Sequence, residues 1–194
     1  MSRIYFPKPD KGVPVYRGNQ FSTISFLLFI SLHSSKIGAV DLQKLSFPDY
    51  EFKIQQQGAG QSLVIFDIIR KKYVALTPEE WVRQHLLHFL VKERKFPQSL
   101  LSVEKKVLVN RLFRRTDIVV YSTGLKPLLV AECKAPSVAV TQAAFDQAAR
   151  YNLTLGAAYF LLTNGLVTHC CTMDHHSRSY VFLEEIPFFA DIKS

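Results

Sequence analysis

Two apolar, β-branched runs joined by a short link of chain breakers constrain this sequence more than any other feature. Arg115-Thr116-Asp117-Ile118-Val119-Val120-Tyr121 comes first and Leu128-Leu129-Val130-Ala131-Glu132-Cys133-Lys134 second, with Ser122-Thr123-Gly124-Leu125-Lys126-Pro127 between them. Such runs, separated by Gly and Pro, read as the arms and turn of a β-hairpin. Alternation puts Asp117 on one face with Val119 and Tyr121, and Glu132 on one face with Lys134, while Cys133 points the other way. A turn centred on Gly124-Leu125 brings Asp117 opposite Glu132, with Cβ atoms about 5 Å apart. Like charges directly opposed destabilise a sheet, so the pair needs neutralising. A divalent cation with oxygen ligands would do this, and Lys134 on the same face could hold a water or offset charge. A one-residue slip would send the two acids to opposite faces.

Thr116-Asp117 followed by Glu132-Cys133-Lys134 resembles the D…E-x-K core of PD-(D/E)XK nucleases. Flanking blocks narrow the resemblance. Thr77-Pro78-Glu79-Glu80-Trp81-Val82-Arg83-Gln84 precedes the hairpin, and Ala135-Pro136 follows it directly. Gln147-Ala148-Ala149-Arg150-Tyr151-Asn152 and Thr163-Asn164-Gly165 come later. In this order the blocks are similar to the N-terminal nuclease domain of type I restriction enzyme R subunits, and most to its stand-alone version. The resemblance spans roughly Leu42 to Phe189. Thr116 stands where such motifs often carry proline, a position that supplies no ligand.

The resemblance implies an α/β (α+β) fold with a restriction-endonuclease-like αβββαβ core, a central mixed sheet flanked by helices. It implies Mg²⁺ or Mn²⁺ held by Asp117, Glu132 and the Cys133 backbone carbonyl. An acid of the first helix would assist: Glu80, with Glu79 as the alternative. Lys134 would orient a water and offset transition-state charge. Gln147, in Gln147-x-x-x-Tyr151, would bond phosphate, the attacking water or a catalytic side chain. The implied function is metal-dependent phosphodiester hydrolysis of nucleic acid, of the DNA-endonuclease kind used in restriction, defence or repair. The implied partners are DNA and either a second copy or other restriction-system subunits.

Two other readings compete. The domain could grip phosphates through Lys105, Lys106, Arg111, Arg114 and Arg115 without turnover. Or Asp117, Glu132 and Lys134 could be ordinary strand-end charges paired with Arg114, Arg115 or Lys105.

Composition sets the outer limits. The 194 residues fit one sizeable core. The net charge of +8 is uneven: Arg83 to Arg115 holds nine Lys/Arg against Glu93 and Glu104, a phosphate-seeking balance. Three cysteines, two of them adjacent, make no disulfide framework and suit a reducing cytoplasm. No stretch reaches the ~20 apolar residues of a membrane span.

The chain divides at about residue 40. Residues 1–40 read as a poorly ordered extension whose apolar run, Phe21 to Leu32, makes a poor signal peptide. Residues 41–194 form the domain. Tyr50–Ile54 and Leu63–Ile69 suggest a hairpin around the polar Gln55–Gln61 turn. Thr77, Pro78 and Glu80 form a capping box for a helix ending near Glu93 to Lys95, with Val82, Leu86, Phe89 and Leu90 on its buried face. Leu101–Arg111 reads as a strand, giving three antiparallel strands in series. A second helix is expected over Ser137–Leu155. Ala157–Thr163 then reads as a strand parallel to the Glu132 strand, since a helix intervenes. A final hairpin has Asp174-His175-His176-Ser177-Arg178 at its tip. Cys170, Cys171, His169, Asp174, His175 and His176 lack zinc-finger spacing, and adjacent cysteines on a strand point apart. The 194 residues contain no P-loop, so either ATP-driven translocation is on other chains or the domain acts alone in repair or defence.

Overall fold

The computed structural model describes residues 42–58, 62–109 and 112–192. The extension expected over residues 1–40 lies outside them. The elements are β1 (Ile54–Gln57), β2 (Ser62–Asp67), β3 (Lys72–Ala75), α1 (Pro78–Lys92), β4 (Leu101–Val109), β5 (Leu112–Tyr121), β6 (Pro127–Cys133), α2 (Gln142–Leu155), β7 (Tyr159–Thr163), β8 (Thr168–Asp174) and β9 (Ser179–Leu183). Strands β1, β2 and β3 make an antiparallel sheet. Strands β4 to β9 make a six-stranded sheet in chain order. Within it β6 and β7 are parallel, because α2 carries the chain back across the sheet between them. The run α1-β4-β5-β6-α2-β7 is the expected αβββαβ core, a mixed sheet with helices on its faces.

Strand alternation divides the core in two. Ile118, Val120, Leu129, Ala131, Cys133, Leu161 and Cys170 pack with Val82, Leu86, Leu87 and Leu90 of α1. Val119, Val130, Phe160, Leu162 and Cys171 pack with Phe145 and Ala149 of α2. The neighbours Cys170 and Cys171 thus enter different clusters, as period-2 geometry requires. Cys133, Cys170 and Cys171 are buried free thiols.

Helix α1 departs from its expected form. The Thr77 hydroxyl accepts from the Glu80 amide at 3.0 Å, and Pro78 occupies the first turn, where its missing N–H costs nothing. The Glu80 side chain does not close the capping box; it turns to Arg70, Arg83 and Gln84. Nor is one face alone buried: every residue from Glu80 to Leu90 is buried. Leu45, Phe47, Ile65 and Leu76 cover the helix together with the sheet residues, and Trp81 Nε1 donates to the Gln43 carbonyl at 3.0 Å.

Three other expectations change. The first strand begins at Ile54 rather than Tyr50, so Gln55, Gln56 and Gln57 are paired strand rather than turn. The N-terminal hairpin gains a third strand, β3, after Asp67 ties the tight link: its Oδ1 accepts from the Ile69 and Arg70 amides at 2.7 and 2.6 Å. Helix α2 starts at Gln142, five residues later than expected, because the Thr141 hydroxyl caps it by accepting from Ala144 N at 3.2 Å. It ends at Gly156, whose φ of 73° is a left-handed C-cap conformation.

Candidate active site

The β5–β6 hairpin has the expected register. Ile118 pairs with Ala131, Val119 with Val130 and Val120 with Leu129, and one further step puts Asp117 opposite Glu132. The link is irregular at Tyr121, which pairs with Pro127, while Leu125 takes a φ of 60°.

Pairing lapses on both sides of Asp117. Toward β6 the ladder stops at Ile118–Ala131. Beyond it the Asp117 side chain substitutes for backbone: Oδ2 accepts from the Cys133 amide at 2.6 Å. Toward β4, Val103 pairs with Ile118 and Lys105 with Thr116, skipping Glu104 and Asp117. Glu104 itself has a φ of 52°, a conformation that costs a non-glycine residue about 1–3 kcal/mol. The strained residue directs its carboxylate to Arg70 and Arg115.

Protein cations neutralise the paired acids. Arg83 Nη2 donates to Asp117 Oδ1 at 2.9 Å, and Lys134 Nζ donates to Glu132 Oε1 at 2.8 Å. The repulsion foreseen between Asp117 and Glu132 is therefore offset inside the chain. Burial raises the pKa of Glu132, the Asp117 charge raises it further, and Lys134 opposes both. Burial disfavours charge on Lys134, but its bond to Glu132 and the nearby carboxylates outweigh this and raise its pKa. Lys134 is thus an ammonium at neutral pH.

Arg83 belongs to a larger ionic ladder that sequence reasoning missed. Its Nη1 donates to Glu80 Oε2 and its Nη2 also reaches Glu79 Oε1 at 3.1 Å. Arg70 donates to Asp67 Oδ2 and Glu80 Oε1, both at 2.6 Å, and to Glu104. Gln84 Nε2 bonds Asp67 Oδ2 at 2.9 Å and Glu80 Oε1 at 2.8 Å. Burial opposes the charge on Arg83, yet Asp117 and Glu80 more than compensate and raise its pKa. One sequence signal was available: Glu80, Arg83 and Gln84 sit three and four apart in a helix dense with apolar residues. Their partners Asp67, Arg70 and Asp117 lie 10 to 34 positions away and have no local pattern.

The expected site residues divide into those brought together and those held apart. Asp117, Glu132 and Lys134 meet, and the Cys133 amide joins them. Glu80 is linked to this group through Arg83, whose Nη1 donates to Glu80 and whose Nη2 donates to Asp117. Its side chain is 6% exposed and committed to two arginines. Glu79 is 45% exposed, and its charge is felt by Glu132 and Lys134. Gln147 is exposed on α2, two positions from both buried Phe145 and buried Ala149, so it projects away from the sheet. No hydrogen bond joins it to the carboxylates among the described residues.

Among the described residues no three His, Cys, Asp or Glu side chains converge as a metal cluster. The donors present nonetheless suit Mg²⁺ or Mn²⁺, because carboxylate oxygens are hard ligands and Mg²⁺ commonly takes only one or two of them, completing its shell with water.

Three described arginines of the basic segment are held in ion pairs. Arg83 is buried in ion pairs, Arg94 bonds Glu185 at 2.7 Å, and Arg115 pairs with Glu104. Lys105 lies over the Tyr121 ring at 5.0 Å. Arg111 and the side chains of Lys106 and Arg114 lie outside the described residues. His85 and His88 are buried against Phe52 and Tyr50, far from any ligand role.

Comparison with known proteins gives this geometry a context. Residues 78–187 match the family model for the type I restriction enzyme R protein N terminus (HSDR_N). The chain belongs to that family. The matched span runs from the start of α1 past the end of β9 and so contains Glu79, Arg83, Asp117, Glu132 and Lys134. No curated protein matches the chain. One similar solved structure is a fragment assigned to the HsdR subunit of a type I restriction enzyme from Vibrio vulnificus YJ016. It is 17% identical with a TM-score of 0.45, over 60% of this chain and 24% of that one. The chain thus corresponds to under a quarter of that neighbour's length. Among the described residues no helix is long and apolar enough to cross a membrane.

Proposed function

We propose that this restriction R-protein N-terminal domain is a Mg²⁺- or Mn²⁺-dependent nuclease of the PD-(D/E)XK type acting on DNA. The observation that supports the reading is the meeting of Asp117 and the Glu132–Lys134 pair at the end of the β5–β6 ladder, with Asp117 accepting from the Cys133 amide at 2.6 Å and Lys134 bonded to Glu132 at 2.8 Å. Membership of the family supports a restriction role, with DNA and other restriction-system subunits as partners.

In this reading Asp117, Glu132 and the Cys133 carbonyl hold the ion, assisted by an acid of α1, Glu80 or half-exposed Glu79. The ion would polarise the scissile phosphate and make a bound water acidic. Lys134 has a protonated amine beside Glu132, suited to orient that water and offset charge gathering on the phosphate. Glu132 holds its proton to higher pH than an ordinary carboxylate, so acidification should weaken ion binding. Gln147, exposed on α2, is free to meet a phosphate of bound DNA rather than a catalytic side chain. Lys105 and Arg115, on the exposed strand surface, would contact the backbone of the duplex.

Incubation of supercoiled plasmid and of single-stranded DNA with wild type and Lys134→Ala, in Mg²⁺ or Mn²⁺, tests the proposal. The wild type should cleave, and Lys134→Ala should lose at least a hundredfold in rate while still retarding DNA in a gel. Retardation by both proteins with no cleavage by either would favour the silent binding module.

A further inference from the structure

One nitrogen of Arg83 sits where a metal ion would compete for the same oxygens. Arg83 Nη2 lies 2.9 Å from Asp117 Oδ1 and 3.1 Å from Glu79 Oε1. It therefore bridges two of the acidic groups that the proposed nuclease site would need. The other Asp117 oxygen is taken by the Cys133 amide, so both oxygens already have donors. The guanidinium is almost fully buried, with its side chain 5% exposed. Its Nη1 is bound to Glu80, and its Nε has no partner among the described residues. The two terminal nitrogens thus carry the whole attachment.

We propose that Arg83 is the resident cation of the site, and that a divalent ion enters only by displacing Arg83 Nη2 from Asp117. This rests on the metal-dependent reading above. The chemistry is a competition between cations. Asp117 Oδ1 can give its charge to a guanidinium or to a metal ion, and two cations about 4 Å apart repel strongly at low dielectric. The arginine keeps a tether when Nη2 is displaced, since Glu80 already holds Nη1. Arg83 thus keeps the ion-free carboxylates from repelling one another and sets a threshold concentration for loading.

The alternative role has the opposite sign. If Arg83 merely positioned Asp117 for the metal, removing it would weaken binding. Calorimetric titration of Mn²⁺ into wild type, Arg83→Met and Asp117→Asn separates the two. Resident-cation behaviour requires Arg83→Met to bind Mn²⁺ at least tenfold more tightly than wild type. Equal or weaker binding by a folded Arg83→Met overturns the inference. Should Arg83→Met fail to fold, nitrogen-detected NMR of the Arg83 guanidinium in wild type decides the matter. Its Nη2 signal must shift as the Asp117 hydrogen bond is lost when Mg²⁺ saturates the site, while Nη1 stays anchored on Glu80. Signals unchanged at saturation overturn the inference. Identical Mn²⁺ binding by wild type and Asp117→Asn, or no binding by any of the three proteins at millimolar Mn²⁺, removes the metal reading itself. That outcome is distinct from metal binding that Arg83→Met fails to tighten.

Discussion

Asp117 and its opposed partner Glu132 show how a single pair of residues can be both a structural problem and a chemical resource. The chain solves the problem with Arg83 and Lys134, each within 3 Å of one acid. Of the two pairs only Arg83–Asp117 is largely buried, and breaking a buried pair by removing one member typically costs about 3–5 kcal/mol, since the other charge is left stranded. Asp117 and Lys134 stood out in the sequence because their strands have strong patterns and because E-x-K sets Glu132 and Lys134 on one face. Arg83 did not, since a charged residue inside a helix normally reads as solvent-facing. Burial also makes His85 informative. Its Nδ1 donates to the Trp81 carbonyl at 2.9 Å. Burial, chiefly, holds its pKa down at about 4 against an ordinary 6.5; the Trp81 bond opposes this, and His88 adds to it. An unfolded chain protonates this histidine near pH 6.5 while the folded one stays neutral, so stability is intact above that pH and is lost as pH falls toward 4. Between about pH 7 and about pH 5 the loss from His85 alone should be about 2 kcal/mol. Urea unfolding of wild type and His85→Phe across that interval checks this: the variant should lose about 2 kcal/mol less, and parallel curves would contradict it.

At the level of elements, the strongly periodic parts were legible and the exceptions have local causes. The β5–β6 register, the order of three antiparallel strands and the parallel β6–β7 pair followed from apolar alternation, breakers and an intervening helix. The start of α2 did not, because Ser137 and Thr141 are both plausible caps and only Thr141 binds an amide of the first turn. Strand β3 was hidden by Arg70-Lys71-Lys72, which reads as a surface run although Arg70 is anchored by three carboxylates. The all-round burial of α1 was invisible for a different reason: its outer cover comes from residues 42–52, distant in sequence. That cover is tied down at the link between β7 and β8. Ser46 N donates to the Gly165 carbonyl at 2.7 Å, and Ser46 Oγ to the Leu166 carbonyl at 2.9 Å. Gly165 has a φ of 82°, and a Cβ there would lie 2.8 Å from Leu45 Cδ2 and 3.1 Å from Val82 Cγ2. Gly165→Ala should therefore cost about 2 kcal/mol or more, from backbone strain plus overpacking. A denaturation midpoint equal to wild type would contradict that packing.

Across the whole molecule, two apolar clusters grip the sheet from either side, and the site forms where that grip ends. Ile118, Ala131 and Cys133 are wholly buried, whereas the acids next to them reach the opening between β5 and β6. The rigid hairpin fixes Asp117 and Glu132, while α1 delivers the arginine that neutralises one of them. The site's frame was thus readable from two segments, but its charge balance was not, because it joins α1, β4, β5 and the link after β2. In the proposed function this juncture cuts nucleic acid through Asp117. The most direct measurement is the rate of plasmid cleavage in Mn²⁺ by wild type and by Asp117→Ala, with folding of both checked by circular dichroism. Metal-dependent cleavage by wild type and a loss of at least a thousandfold in a folded Asp117→Ala are expected. Undiminished metal-dependent cleavage by Asp117→Ala would contradict it.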